Sequence, residues 1–461
     1  MPKTISNSKL AKMFRPIVGE DSVLSDEDSL MKYSRDMADY YGKPILVVKP
    51  SRVEQVSLIL KLLNRVKVPV VPRGAGSSLT GASITDGGVI IDMSNFNRII
   101  KIDTVNWYAH VEAGVVLDSL NNELKKYGLF FPPDPASSFM CTVGGAVAEG
   151  SGGLRCVKYG TVKDWVLALK VVLPDGEVAT FGEPLPKNRA GYDLTHLFVG
   201  SEGTLGVIIE AWLKLAPLPS NRMRRLLAQF SSWESANNVI MLLRQQMIQP
   251  TLLEFLDKDC VVAVNREFGF DIPEAEATLL IDLEATVLGR TKTLLRKAGC
   301  TNIMVARDQE EEERLYQARA WTYVAIRKLG TGVMAEDVCV PLDKLGEYVE
   351  FAKTVAYRNG IKIVVNGHAG DGNVHPTIIY DINNEKDVKG SKRAFDEICD
   401  YAIRLGGTVT GEHGVGLQKT KMLRKQLEIH GGQAPLRLMK GIKRLFDKNG
   451  IMNPGKYVEA A

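Results

Sequence analysis

The chain has 461 residues and only six cysteines, at positions 141, 156, 260, 300, 339 and 399. No Cys-x-x-Cys occurs. A chain this long with scattered thiols has no use for a disulfide framework. Iron–sulfur ligation needs clustered thiolates, so no such cluster is expected. Long apolar runs are also missing. No window approaches about 18 uncharged apolar residues, which excludes a membrane-spanning helix. Charge of one sign is scarce too. Lys and Arg number 58 against 54 Asp and Glu, a net of +4, too weak a bias for nucleic acid or a lipid surface. There is no internal repeat and no secretory h-region. The first 19 residues carry Lys3, Lys9, Lys12 and Arg15 and no acid. They read as a surface helix stopped near Pro16, with a transit peptide as the other reading. The expected location is the cytoplasm, including a peripheral position at the inner membrane face.

What is abundant is glycine, with 42 residues. At about 150 residues per domain the length suggests roughly three units or two large ones. Residues 44–72 read as strand, helix, strand. Ser51 and Glu54 form a capping-box pattern, and Val53, Val56, Ile59, Leu60 and Leu63 share the inward face. Residues 89–93 and 109–113 read as strands and 115–127 as a helix. Strands at 166–173 and 177–180 flank Pro174-Asp-Gly, a hairpin signal. Residues 197–200 and 207–213 read as strands around a glycine turn. After Pro219, helical patterns at 233–246, 310–328 and 345–359 alternate with strands at 279–284 and 338–340, an α+β layer. Residues 439–446 form a closing helix before a turn-rich tail.

Three glycine clusters lie in the first half. The first runs Arg73-Gly-Ala-Gly-Ser-Ser-Leu-Thr-Gly81. Leu79 occupies the place of the third Rossmann glycine, and no Gly-Lys-Ser/Thr follows, so neither the Rossmann nor the Walker A motif is present. Adjacent N–H groups in such a loop can still form an anion nest, with Arg73 complementing a phosphate. A plain surface loop is the other reading. The second region runs from Pro132 to Gly153, where five of the ten residues 144–153 are glycine. Such density suits a backbone pressed against a large flat ligand. The third is Gly200-Ser-Glu-Gly-Thr-Leu-Gly206, followed by Val207 and Ile208. Three such loops suggest one long ligand with a pyrophosphate at its middle.

A second constellation lies near the C-terminus. Asn366-Gly-His-Ala-Gly-Asp-Gly-Asn-Val-His375 places His368 and His375 on either side of a tight turn. Gly411-Glu-His-Gly-Val-Gly416 adds Glu412 and His413. Two histidines and a carboxylate form an open catalytic metal triad. Satisfied turn polars are the bland alternative. His110, His196 and His430 read as structural or surface residues.

The stretches 72–81, 133–153, 159–160 and 198–208 resemble the FAD-binding domain of the vanillyl-alcohol oxidase / p-cresol methylhydroxylase fold. More narrowly, the chain resembles FAD-linked D-2-hydroxyacid dehydrogenases from about residue 44 to 456. The resemblance implies an α+β protein with a split FAD-binding domain and an inserted α+β substrate (cap) domain. Its expected limits are 1–218 for the FAD domain, 219–416 for the cap and 417–461 for a segment returning to the FAD domain. It implies that Arg73, Gly74, Ala75, Gly76, Ser77, Ser78 and Gly81 wrap the pyrophosphate. Pro133, Asp134, Ser137, Thr142, Gly144, Gly145, Ala148, Ser151 and Gly152 would line the isoalloxazine and ribityl chain, with Tyr159 and Gly160 beyond them. Glu202, Gly203, Gly206, Val207 and Ile208 would meet the adenine end, and Asn453 would return to the flavin.

The same resemblance makes His368, His375 and Glu412 ligands of Zn²⁺ or Mn²⁺. His413 would be the proton acceptor and Arg319 the clamp on the substrate carboxylate. The implied reaction oxidises a small D-2-hydroxy acid, D-lactate or glycolate, with hydride passing to flavin N5. No lysine stands near Ala335, which weakens a dicarboxylic substrate. Asn366 and Asn373 would orient the metal ligands. The acceptor would be an electron-transfer flavoprotein, an iron–sulfur subunit, a quinone or a cytochrome. Two alternatives share the fold: a non-catalytic electron-relay or scaffold flavin subunit, and a flavin-assisted alkyl-transfer enzyme.

Overall fold

A computed structural model describes residues 5–38, 40–219 and 223–457. Lys3, part of the basic N-terminal stretch, lies outside them. The chain divides into two compact units. The first holds residues 1–152, 161–218 and 412–461, and the second holds 153–160 and 219–411. The expected limits had put 153–160 in the first unit and 412–416 in the second.

The first unit carries two main sheets. In one, Leu46–Val48 and Val70–Arg73 both run parallel to Val89–Asp92, and Val23–Leu24 adds an antiparallel edge. The helix Val53–Val66 joins two of the parallel strands, as a parallel connection requires. Its Val56, Ile59, Leu60 and Leu63 are fully buried and meet Leu10 and Phe14 of the first helix. Each such side chain contributes about 1.5–3 kcal/mol. The cap differs from the expected one. Gln55, not Glu54, reaches back to accept from the N–H groups of Ser51 (2.8 Å) and Arg52 (3.1 Å). The first helix runs through Pro16 and ends at Gly19, whose φ is 93°. Pro16 has no N–H, so this last turn forgoes the bond to the Lys12 carbonyl.

The second sheet of this unit is antiparallel, with Val207–Lys214 at its centre. The hairpin at Pro174 is present, pairing Val166–Val172 with Val178–Gly182. Residues 195–198 form one helical turn, not a strand. The C-terminal tail returns to the parallel sheet, where Met452 bridges Val70.

The second unit is built on an eight-stranded antiparallel sheet. Its order is Asn302–Val305, Met223–Phe230, Ala277–Glu284, Leu252–Asp257, Lys362–His368, Asn373–Tyr380 and Gly332–Ala335, with Val338–Cys339 also pairing with Asn373–Tyr380. Strand alternation separates its two faces. Leu253, Phe255, Ile363, Val365 and Val374 pack with the helices Trp233–Gln245, Leu345–Asn359 and Glu385–Arg404. On the other face, Leu252, Leu256 and Val364 pack with Leu315 and Ala318 of the helix Gln309–Ala320. The single helix expected over 310–328 breaks at Trp321, which caps one helix and opens the short Thr322–Ile326. This second face holds the polar site described next.

Candidate active site

In the first unit the three glycine clusters converge. A Cβ on Gly74 would overlap the Thr142 hydroxyl, so cluster one touches the start of cluster two. Gly200 N–H donates to Val147 O at 2.9 Å and Glu202 N–H to Ala148 O at 2.8 Å, joining clusters two and three. Asn453 ties the tail to both ends. Its side-chain amide donates to Ala82 O (2.9 Å) and Glu202 O (2.7 Å). The Glu202 carboxylate accepts from Val415 N–H (2.6 Å) and Gly416 N–H (2.8 Å).

The donor set of this cradle fits a diphosphate. Among the described residues, the N–H groups of Ala75, Gly76, Ser77 and Ser78 meet no protein acceptor. Consecutive free amides in a small-residue loop are what an anion nest needs. Arg73 stands at the edge of this loop. It is buried and donates to Ser83 O (3.1 Å) and Arg35 O (2.8 Å). Its guanidinium braces the loop on backbone carbonyls, and burial lowers its pKa. The density of glycine in the second cluster also has a partly internal cause. Residues 143–149 are helical with Thr142 as N-cap, and a Cβ on Gly144 would come within 2.6 Å of Ala113 Cβ. Tyr159 and Gly160 belong by packing to the second unit, where Lys158 Nζ donates to Thr251 at 3.5 Å.

A buried acid lies within the cradle. Glu149 Oε2 is closed to solvent without a hydrogen-bond partner among the described residues. Burial, then Glu202, then Asp36 push its pKa well up, and Lys456 opposes them. Lys456 itself is lowered to about 8, chiefly by burial. His413 lies in the tail segment, where its carbonyl accepts from the Thr80 hydroxyl at 3.4 Å. Its Nε2 is 3.5 Å from Glu412 Oε1.

In the second unit the strands Lys362–His368 and Asn373–Tyr380 form the hairpin that the sequence suggested. The register pairs His368 with Asn373 and Asn366 with His375. Opposed residues share a face, and so do residues two apart. Asn366, His368, Asn373 and His375 therefore all lie on one face. The two imidazoles are 5.1 Å apart, edge to face at 89°, and both are buried.

Two carboxylates that the sequence reading missed support them. Glu254 is fully buried, and its Oε1 lies 2.8 Å from His368 Nδ1. Asp337, equally buried, accepts from Asn373 Nδ2 (2.7 Å), Thr410 Oγ1 (2.7 Å) and Gly411 N–H (2.9 Å). Its Oδ1 is 3.7 Å from His375 Nδ1. Glu254 had a signal. It interrupts the apolar face Leu252–Leu256 of a fully buried strand, where an unpaired acid is rare. Asp337 had none beyond its place between Glu336 and Val338.

Arg319, expected as the clamp on a substrate carboxylate, lies on the helix Gln309–Ala320. It is buried, with Nη2 2.8 Å from Glu254 Oε2. Glu412 follows Gly411 directly, so covalent geometry keeps their Cα atoms about 3.8 Å apart. The chemistry of the second unit's donor set, two buried imidazoles beside anchored carboxylates, fits a borderline divalent cation. His110 is spent on Glu210 (2.7 Å) and stacks on Trp212, and His196 binds Asp193 and the Lys163 carbonyl.

Comparison with known proteins adds the family. Residues 44–182 match the FAD binding domain, and residues 219–457 match the C-terminal domain of FAD linked oxidases. The chain is 38% identical to the glycolate oxidase subunit GlcD of Bacillus subtilis, covering 92% of this chain and 91% of that one. It is 32% identical to a D-lactate dehydrogenase of Anaerostipes hadrus, covering 99% and 97%. The fold is similar to that of p-cresol methylhydroxylase, with a TM-score of 0.82 over 100% of this chain and 99% of that one at 19% identity.

Proposed function

The chain belongs to the FAD-linked oxidases, and from that premise we propose that it is an FAD-dependent dehydrogenase of a small D-2-hydroxy acid, D-lactate or glycolate. One observation carries the reading beyond the family. The second unit gathers His368 and His375 on one buried sheet face, in a chain whose first unit presents a row of free loop amides. An electron-relay subunit needs only the second of these features.

The residues divide the work as follows. Ala75 to Ser78 would hold the FAD diphosphate through their amides. His368, His375 and Glu412 would hold a divalent ion, Zn²⁺ or Mn²⁺. FAD, when bound, supplies the hydride acceptor. The ion, when bound, lowers the hydroxyl pKa of a coordinated substrate. His413 would take the hydroxyl proton, since a neutral imidazole is suited to that near pH 7. Asn373, fixed on Asp337 and Val338 O, would keep His375 oriented through the hairpin. The reduced protein would pass its electrons to an external acceptor: an electron-transfer flavoprotein, an iron–sulfur subunit, a quinone or a cytochrome. We place the protein in the cytoplasm. No helix among the described residues is long and apolar enough to cross a membrane.

The test is spectroscopic. Protein reconstituted with FAD should show flavin bands. These should bleach anaerobically with D-lactate or glycolate and stay unchanged with the L-enantiomer of lactate. Flavin bands that no 2-hydroxy acid bleaches would leave the relay reading standing.

A further inference from the structure

The net charge of +4 conceals a segregation. Residues 417–448 hold nine Lys or Arg and two acids, while the rest of the chain holds 49 basic residues against 52 acidic ones. One short stretch therefore carries more than the whole surplus. It folds as two helices of the first unit, Thr420–Gly431 and Gln433–Phe446, which meet at Gly432 and pack on each other.

The inward faces of this hairpin are accounted for. Met422 and Leu423 are buried on its first helix, and Leu427, Leu436 and Met439 pack with Leu423 and Val415. Lys443 also turns inward, donating to Thr204 O (2.7 Å), Asp447 Oδ2 (2.6 Å) and Met452 O (2.7 Å). The outward faces are unlike an ordinary solvated surface. On the second helix Arg437, Leu438, Gly441, Arg444 and Leu445 are all exposed, and their spacing follows the helical repeat along one stripe. Leu438 is 61% exposed and Leu445 71%. They stand two turns apart, about 10 Å along the axis. Lys448 follows just past the helix end. On the first helix the same repeat exposes Lys421, Arg424, Lys425, Glu428 and Ile429. Glu428 is the one exposed acid of residues 417–448.

Aliphatic tips set among long cations match one kind of surface. A bilayer with anionic headgroups offers acyl carbon to the first and phosphate to the second. A nucleic acid backbone would satisfy the cations and leave the leucines in water. A protein partner matches less well, because interface centres favour aromatics and are poor in lysine, and residues 417–448 contain no Trp or Tyr. A second copy of the chain would set one basic face against another.

We propose that the helical hairpin 420–446 is a docking surface for an anionic phospholipid membrane. Ile429, Leu438 and Leu445 enter the headgroup layer, and the flanking Lys and Arg side chains meet its phosphates. The inference rests on this surface alone and holds whichever 2-hydroxy acid the protein oxidises.

Flotation of the FAD-loaded protein with lipid vesicles tests it. The protein should float with phosphatidylcholine vesicles containing about one-third phosphatidylglycerol and stay behind with pure phosphatidylcholine. Binding should weaken as salt rises to about 0.5 M, where charges are screened within a few ångströms. Two variants of exposed residues, outside the glycine cradle and the histidine face, divide the contributions. Arg424→Gln, Arg437→Gln, Lys448→Gln should weaken binding roughly 100-fold, at about fivefold for each basic residue. Leu438→Gln, Leu445→Gln should weaken it roughly 10-fold, through the lost apolar burial. Flavin bands and melting temperature should match the parent in both. No flotation with anionic vesicles overturns the proposal and leaves an acidic protein face as the partner this surface fits. Equal flotation with neutral vesicles overturns it too, as does full binding by the leucine variant, since the leucines would then not enter the lipid. If either variant fails to fold, the lipid and salt dependence of the parent protein decides.

Discussion

The two units make their sites from different parts of the chain. The first unit uses backbone. Its cradle consists of loop amides, brought together by glycines that let one loop touch the next. The second unit uses side chains. Its site is a face of a β-hairpin in which histidines and amides replace the apolar residues expected there. A backbone site depends on φ and on close approach, so changes of conformation break it. A side-chain site depends on buried polar partners, so changes of charge or hydrogen bonding break it.

The largest effect tests where the chemistry starts. His413→Ala should lower the rate of flavin reduction by substrate about 10²–10⁴-fold, the usual worth of a general base, while FAD stays bound. Stopped-flow bleaching measures it. A rate within threefold of the parent would take His413 out of the reaction and leave the tail with a backbone role only.

The next pair sets the two units against each other. Gly416 has φ 50°, and a Cβ there would overlap the Thr80 carbonyl; Gly372 has φ 77°, and a Cβ there would overlap the Val340 carbonyl. Each alanine variant should cost about 1–3 kcal/mol in backbone strain alone, with the clash added. Gly416→Ala should weaken FAD retention, because Gly416 N–H holds Glu202 beside the third cluster. Gly372→Ala should spare FAD retention and disturb the histidine hairpin. Fluorescence titration of FAD, with thermal melts, separates them. Equal loss of FAD in both would mean that the units do not fail independently.

Asp337→Asn comes third. Asp337 accepts three hydrogen bonds while fully buried. An amide oxygen can keep some of them, but its NH₂ would face the N–H of Gly411 or the amide of Asn373. A buried donor left unmet costs about 1–3 kcal/mol. A melt unchanged within error would show that Asp337 is not the anchor of this face.

The sequence reading and the structure part company at particular residues. The hairpin around His368 was legible because a turn of small and polar residues sits between two β-branched runs. The convergence of the glycine clusters was legible as density, not as geometry. Gly144 answers Ala113 within the chain, and nothing local to Gly144 announces that. Arg319 and Arg73 have surroundings that their sequence context did not show. A sequence shows a cation but not the acceptor it meets, and both arginines are spent on partners far away in the chain, Glu254 in one case and the Arg35 carbonyl in the other. Glu254 was the most findable miss, as an acid at the centre of an apolar strand face. The helix break at Trp321 was not legible, since the helical pattern runs through it.

The smallest effect concerns a buried carboxyl in the backbone site. Burial and the neighbouring Glu202 raise the pKa of Glu149 above its ordinary 4.5. We assign the proton to Glu149 because Glu202 is stabilised as an anion by two N–H groups, whereas Glu149 Oε2 has no partner among the described residues. An acid with a raised folded-state pKa binds its proton more tightly in the folded state than in the unfolded one. Its contribution is fully present below pH 4.5 and is lost as pH rises through the raised value. Glu149→Gln keeps the shape and removes the titration. The parent should therefore lose stability relative to the variant as pH climbs above 4.5 and through the raised value, with the gap closing at low pH. Denaturant melts at matched pH values measure that gap. A gap that stays constant with pH would mean that Glu149 ionises in the fold as freely as in the open chain. Glu149 would then retain no proton, and the buried titration of the cradle would rest on Glu202 and Lys456.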